Sequence, residues 1–247
     1  MAVERYKTAS YIVLKAGREL GLGTVTDPYS SGDDNWLQLT QMLNSIGREL
    51  ADTYVWEHLI REHSFQTVED QSAYDLPADF LSIVDDTAWN RTAQQPLLGP
   101  LTAQEWQQLQ VSGLTTTPTL GFRLSQNQIM LAPTDSVPAG QTITFELRSL
   151  AWVRTSAQGI GNGNTLGTNG SDECVAPGDY PLFDPLVLQY ALKLWWKKDR
   201  GFETGAAEAD FVRTLENAKG RGRGARAVTV GGGRRSAFLS DRNLPWP

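Results

Sequence analysis

Apolar residues recur with a helical period near the start of the chain. Tyr6, Ala9, Val13, Ala16 and Leu20 share one stripe, which predicts an amphipathic helix over 6–20, stopped by Gly21 and Gly23. A polar loop over 24–32 follows. Trp36, Leu39, Leu43, Ile46 and Leu50 then recur at steps of 3 and 4, the spacing of a seam that packs against other helices. Asp33 and Asp34 suit the start of this helix, because acids there meet the positive end of the helix dipole. The pattern fades near His63, so a helix of about 30 residues, roughly 45 Å long, is expected.

The period changes at Ser64. Segments 65–67, 74–76 and 80–84 alternate as short strands, interrupted by Pro77. Thr102 opens a short helix over 102–110, with Glu105 placed to complete a capping box. Phe122 and Leu124 lead into Gln126-Asn127, and Ile129 and Leu131 lead out, which predicts a β-hairpin. Ile143, Phe145 and Leu147 alternate with polar residues as a half-buried strand. Residues 156–181 are Gly/Asn-rich and read as a mobile loop. Helical spacing returns over 183–200, with Leu186, Tyr190 and Leu194 on one face and Trp195-Trp196 near the end. It returns again from Thr204 or Gly205 to Ala218, with Phe211, Val212 and Leu215 apolar and Gly220 as the stop.

The expected fold is α+β. Residues 1–63 and 182–219 form a four-helix bundle, and a small β-rich domain, 64–155, is inserted between its second and third helices. The loop 156–181 and an extended C-terminal arm, 220–247, complete the chain.

Charge sharpens the picture at the C-terminus. The chain carries 22 basic and 28 acidic residues, a net of −6. Residues 219–247 hold seven Lys/Arg against one acid, Asp241, which leaves the other 218 residues at −12. A basic, glycine-rich arm of this kind buries too little apolar surface to fold alone, yet it can order against a partner. Arg221, Arg223, Arg226, Arg234 and Arg235 supply charge, and Phe238, Leu239 and Trp246 supply apolar anchors. The anchors favour a protein groove, since phosphate binding alone has no use for them. The single cysteine, Cys174, excludes an internal disulfide and a cysteine-built zinc site. The N-terminus has no apolar signal region, and no apolar run approaches the roughly 20 residues of a membrane helix, so folding in a reducing cytosol is expected.

Candidate chemistry is sparse, and no catalytic residue, metal or cofactor is expected. His58 and His63, five apart on one helix, would point about 140° apart and could not share a metal. Gly159, Gly161 and Gly163 lack the strand and helix of a nucleotide loop, and no phosphate-loop lysine motif occurs. Asp33-Asp34 and Asp85-Asp86 read as solvated acids at turns or helix starts. Two other binding readings stay open. The Arg/Gly run could bind nucleic acid, and the eight tryptophans could include a carbohydrate platform.

Several segments together resemble a known family. These are Asp52-Thr53-Tyr54-Val55-Trp56, the run Tyr74-Asp75-Leu76-Pro77-Ala78-Asp79-Phe80, and Trp89. Gly99-Pro100-Leu101, Glu105-Trp106, Ile129-Met130-Leu131-Ala132-Pro133 and an aromatic helix pair before a basic tail complete the set. In that order they resemble the head-to-tail adaptor (connector, tail tubular A-like) proteins of short-tailed bacteriophages. The resemblance implies a non-enzymatic virion protein at the head–tail junction, assembled in the host cytoplasm. It implies a ring, expected to hold twelve copies, beneath the portal protein. The arm would dock on the portal. Trp36, Leu39, Leu43, Ile46 and Leu50 would lie on the helix that packs subunits together. A tail nozzle or fibre protein would bind below, and genomic DNA would pass through the channel without sequence-specific binding.

Overall fold

The computed structural model describes residues 6–69, 71–112, 120–132, 137–155 and 170–222, and among these the fold is α+β. Helix α1, Ala9–Glu19, starts at Thr8, whose hydroxyl accepts from the Tyr11 amide at 3.3 Å. Helix α2, Asp34–Thr53, starts at Asp33, whose carboxylate accepts from the Asn35 amide at 2.9 Å. All five seam residues of α2 are buried, at 0–7 % exposure.

The long second helix ends ten residues short of His63. After Thr53 the backbone turns extended at Tyr54, passes through a single turn at Glu57–Leu59, and enters strand β1, Ile60–Gln66. The stop is made by a residue almost a hundred positions away. The Arg148 guanidinium donates to the carbonyls of Ala51, Asp52 and Tyr54 at 2.9, 2.8 and 3.3 Å. Trp56 Nε1 adds a bond to the Leu50 carbonyl at 2.7 Å. Carbonyls left over at a helix end need such partners when water cannot reach them.

The β-rich part is antiparallel. Strand β8, Thr142–Ser149, pairs along one edge with all of β1. Its other edge is shared by β3, Phe80–Ile83, and β4, Trp89–Asn90, which in turn pairs with β5, Gln95–Pro96. A second sheet joins β2, Ala73–Asp75, to the hairpin of β6, Gly121–Ser125, and β7, Gln128–Ala132. The hairpin turn at Gln126 and Asn127 has φ of 51° and 61°, the left-handed pair that matches strand twist. Ile143, Phe145 and Leu147 are fully buried against Phe122, Ile129 and Leu131, as the alternation predicts. Helix α3, Ala103–Ser112, carries the expected capping box. Glu105 accepts from the Thr102 amide at 2.8 Å, and its own amide donates to the Thr102 hydroxyl at 3.3 Å. These bonds to Thr102 hold the Glu105 carboxyl below its ordinary pKa.

Helix α4, Pro185–Asp199, is capped by Asp184 and packs against α1, α2 and α5, Gly205–Gly222. Its buried face is Val187, Leu188, Ala191, Leu192 and Trp196, while Leu186 is 44 % exposed. The face through Leu186, Tyr190 and Leu194 is therefore the outer one. A helix with neighbours on several sides needs a wider apolar face than a single stripe supplies. Helix α5 continues two residues past Gly220, the expected stop.

Residues 170–181, expected within a mobile loop, are a packed bridge. Ser171 pairs with Val153, and Tyr180–Pro181 (β10) pairs with Val153–Arg154 (β9). Asn44 of α2 exchanges two hydrogen bonds with the Cys174 backbone, at 2.9 and 3.3 Å. The Asp179 carboxylate accepts from the amides of Val175 and Ala176, and its carbonyl accepts from the Ala9 amide at 2.7 Å. Two glycines admit indoles into this core. The Trp36 ring lies on Gly17 and the Trp152 ring on Gly47, so closely that a Cβ at either glycine would overlap the ring.

Candidate assembly surfaces

The run Tyr74–Phe80 proves to be a structural clasp. The Tyr74 hydroxyl accepts from the Val68 amide at 2.9 Å and donates to the Gln71 carbonyl at 2.8 Å. Asp79 pairs with Arg61 of β1 and accepts from the Ser149 hydroxyl, while its carbonyl accepts from the Leu150 amide at 2.8 Å. Trp56 plays a matching role at the exit from α2. Its ring meets Phe183 at 5.3 Å, and Phe183 stacks on Trp152 at 5.8 Å. The Tyr74–Phe80 bonds tie β-rich segments to one another, whereas Trp56, Phe183 and Trp152 join the helical core to the chain leaving β8, and the chemistry at each is hydrogen bonding and packing.

The two histidines do not share a helix. His58 sits in the single turn, and His63 lies in β1 with its ring 5.4 Å from Phe145. Burial and the Arg61 charge hold His63 below its ordinary pKa, and Asp79 opposes them. Asp33 is a helix cap, and Asp86 adopts φ of 60° at a turn. Burial pushes the Cys174 thiol well above its ordinary range. Gly159, Gly161 and Gly163 lie outside the described residues. Among the described residues, no three His, Cys, Asp or Glu side chains gather to hold a metal, and no helix is long and apolar enough to cross a membrane.

Of the eight arm residues singled out, Arg221 alone is described. It sits in the last turn of α5, and its guanidinium bonds Asp184, the cap of α4, at 2.9 Å. Arg223, Arg226, Arg234, Arg235, Phe238, Leu239 and Trp246 lie outside the described residues. The α2 seam is closed inside the subunit by α1 and α4, so its side chains meet their own core.

Two concave surfaces were not foreseen. A groove of about 380 Å³ opens between α2, α4 and α5. Ile46 and Leu50 form its floor, Leu194 and Trp195 one wall, and Phe211, Val212 and Leu215 the other. Glu49, Lys198 and Glu208 line its rim, and the Lys198 ammonium lies 4.9 Å over the Trp195 ring. Val212 and Trp195 are 50 % and 37 % exposed, an apolar surface suited to protein side chains. The spacing marks Leu194 on one apolar face and Phe211, Val212 and Leu215 on another, but not that the two faces leave a groove between them.

The second is a cleft of about 520 Å³ on the outer face of the five-stranded sheet. Trp89, half-exposed, shares it with Glu62, Asp86, Arg91, Gln94 and Glu146. Glu62 and Glu146 face each other across the strands, and Arg91 bonds Glu62 at 2.5 Å. Of the other tryptophans, Trp36, Trp56, Trp106, Trp152 and Trp196 are buried.

A comparison with curated proteins gives no match. The family described as SU10 adaptor protein matches residues 8–235, nearly the whole sequence and both halves of the fold. A clasped pair of helical and β-rich parts, with its open surfaces suited to protein contact, is in keeping with a phage structural role, and the chain belongs to the SU10 adaptor protein family, the adaptors between phage head and tail.

Proposed function

We propose that this adaptor forms a ring of twelve copies beneath the portal and docks on it through the C-terminal arm. The observation that carries this reading is the basic arm, with its apolar anchors, leaving α5 of an acidic body in a family of phage adaptors. Helices α1, α2, α4 and α5 are read as a four-helix bundle, 1–63 with 182–219, into which the β-rich domain 64–155 is inserted. Arg223, Arg226, Arg234 and Arg235 would meet acidic portal side chains, and Phe238, Leu239 and Trp246 would fill its grooves. Arg221 would stay with Asp184. Lateral contacts would fall to faces beside the α2 seam, because the seam itself is buried. An acidic lining would repel DNA phosphates and let the genome slide. The β-rich domain would then offer the platform for nozzle or fibre proteins.

The test mixes the full-length chain, or a chain ending at Gly222, with the portal ring of the same phage. Native mass and negative-stain imaging follow. A ring-on-ring complex formed only by the full-length chain is expected. Full-strength attachment without the arm would overturn the docking role. One observation favours a second reading, a carbohydrate-binding tail component. Trp89 stands half-exposed in a cleft with carboxylate and amide groups, an arrangement suited to a sugar ring. Quenching of Trp fluorescence by soluble glycans, lost in Trp89→Ala, would support it.

A further inference from the structure

The groove between α2, α4 and α5 is an apolar surface that the described residues leave open, and the chain carries a segment made to fill one. We infer that the groove is the resting site of the chain's own C-terminal segment, Phe238–Trp246, before a partner takes the arm.

Reach permits it. Helix α5 is itself a wall of the groove, and its last described residue lies seven positions beyond Leu215, about 10 Å along the axis. From there to Phe238 an extended chain spans up to roughly 50 Å, far more than the return requires. Loop closure costs little extra as the connecting chain lengthens.

Chemistry selects this occupant. Phe238, Leu239, Leu244 and Trp246 fall within nine residues, and Pro245 keeps the end of the segment from continuing as a helix. The groove offers Leu194, Trp195, Phe211 and Val212 to receive such side chains. Charge agrees. Residues 223–247 hold five arginines and one acid, whereas Glu49 and Glu208 outnumber Lys198 at the rim. The same anchors cannot occupy the groove and a portal pocket together. Portal attachment would therefore have to displace them and would lay the groove bare for a neighbouring subunit. The inference shares its anchors with the docking role proposed above, but it needs no portal.

Cysteine trapping in the full-length chain, with oxidised glutathione as the oxidant, tests it. Val212→Cys and Leu239→Cys are introduced together, and Val68→Cys with Leu239→Cys serves as the control. Val68 is 54 % exposed on the β-rich part, two residues past the end of β1 and not among the residues lining the groove, and Val212 is exposed enough to accept the change. Cys174 is 2 % exposed and its thiol is pushed above the ordinary range, so it stays out of the exchange. The groove pair is expected to close within one chain at least tenfold faster than the control, and Trp246→Ala should remove most of that advantage. Equal rates for the two pairs overturn the inference. Bridging between two copies in place of within one overturns the same-chain assignment. A failed trap with intact portal attachment sinks the groove alone, whereas a closed trap with no attachment sinks the portal role alone.

Discussion

The helical and β-rich parts build their cores in different ways. In the β-rich part, Ile143, Phe145 and Leu147 of β8 meet Phe122, Ile129 and Leu131 of the hairpin by simple alternation. Each strand declares its inner face every second residue. The helical core instead recruits Trp152, Cys174, Leu182 and Phe183 from outside its helices, and it seats Trp152 and Trp36 on bare glycines. Alternation is a local rule, but an indole on a glycine is a meeting of distant segments. The helical part therefore depends on the β-rich part for its packing, and Arg148 makes that dependence visible at the end of α2.

Truncating the shared indole should have the largest effect. Trp152→Ala empties the space between Gly47 and Phe183 and removes the bond from Nε1 to the Asp172 carbonyl, 2.8 Å long. A loss of about 3–5 kcal/mol is expected, read by urea unfolding. Amide exchange should then rise in α2 and in 170–181 more than in the β6–β7 hairpin. Equal rises in both would show that the two cores are one unit.

Arg148→Met keeps the side-chain stem and deletes the guanidinium. Three carbonyls at the end of α2 lose a donor, which should cost about 1–3 kcal/mol. The readout is exchange and helical circular dichroism, with the loss concentrated in the last turn of α2. A variant as stable as the parent would mean that water or Trp56 alone secures that end.

The smallest effect is a pH slope in the β-rich part. His63 has a folded pKa below its ordinary value, chiefly from burial and then from Arg61, against the pull of Asp79. The unfolded chain thus binds the proton more readily. The stability tied to neutral His63 is present above about pH 6.5 and is lost as the pH falls from there towards the folded pKa. His63→Gln should lose less stability between pH 8 and pH 5 than the parent does, measured by urea midpoints. An identical loss in both would remove His63 as the source.

Much of the architecture was legible in the spacing of residues. The α2 seam, the Thr102–Glu105 box, the Gln126-Asn127 turn and the β8 alternation all depend on neighbours within a few positions. The family resemblance was legible for the same reason, since its motifs are local clasps such as Tyr74 with Gln71. The groove was not legible. Its walls were visible as separate apolar faces on α4 and α5, and only their placement beside α2 shows that the space between them is left open. Residues 170–181 misled because their Gly/Asn-rich prelude hides Cys174 and Asp179, whose partners are Asn44 and Ala9.

The sequence by itself determined the helical type of α1, α3, α4 and α5, the β6–β7 hairpin, the inner face of β8, the acidic body and the basic arm. Periodicity and charge are properties of the chain before it folds. The tertiary structure alone decided where α2 ends, which face of α4 is buried, and that 170–181 is a bridge. Each of those depends on a donor, a ring or a carboxylate brought in from a segment far along the chain, and such meetings leave no period to read.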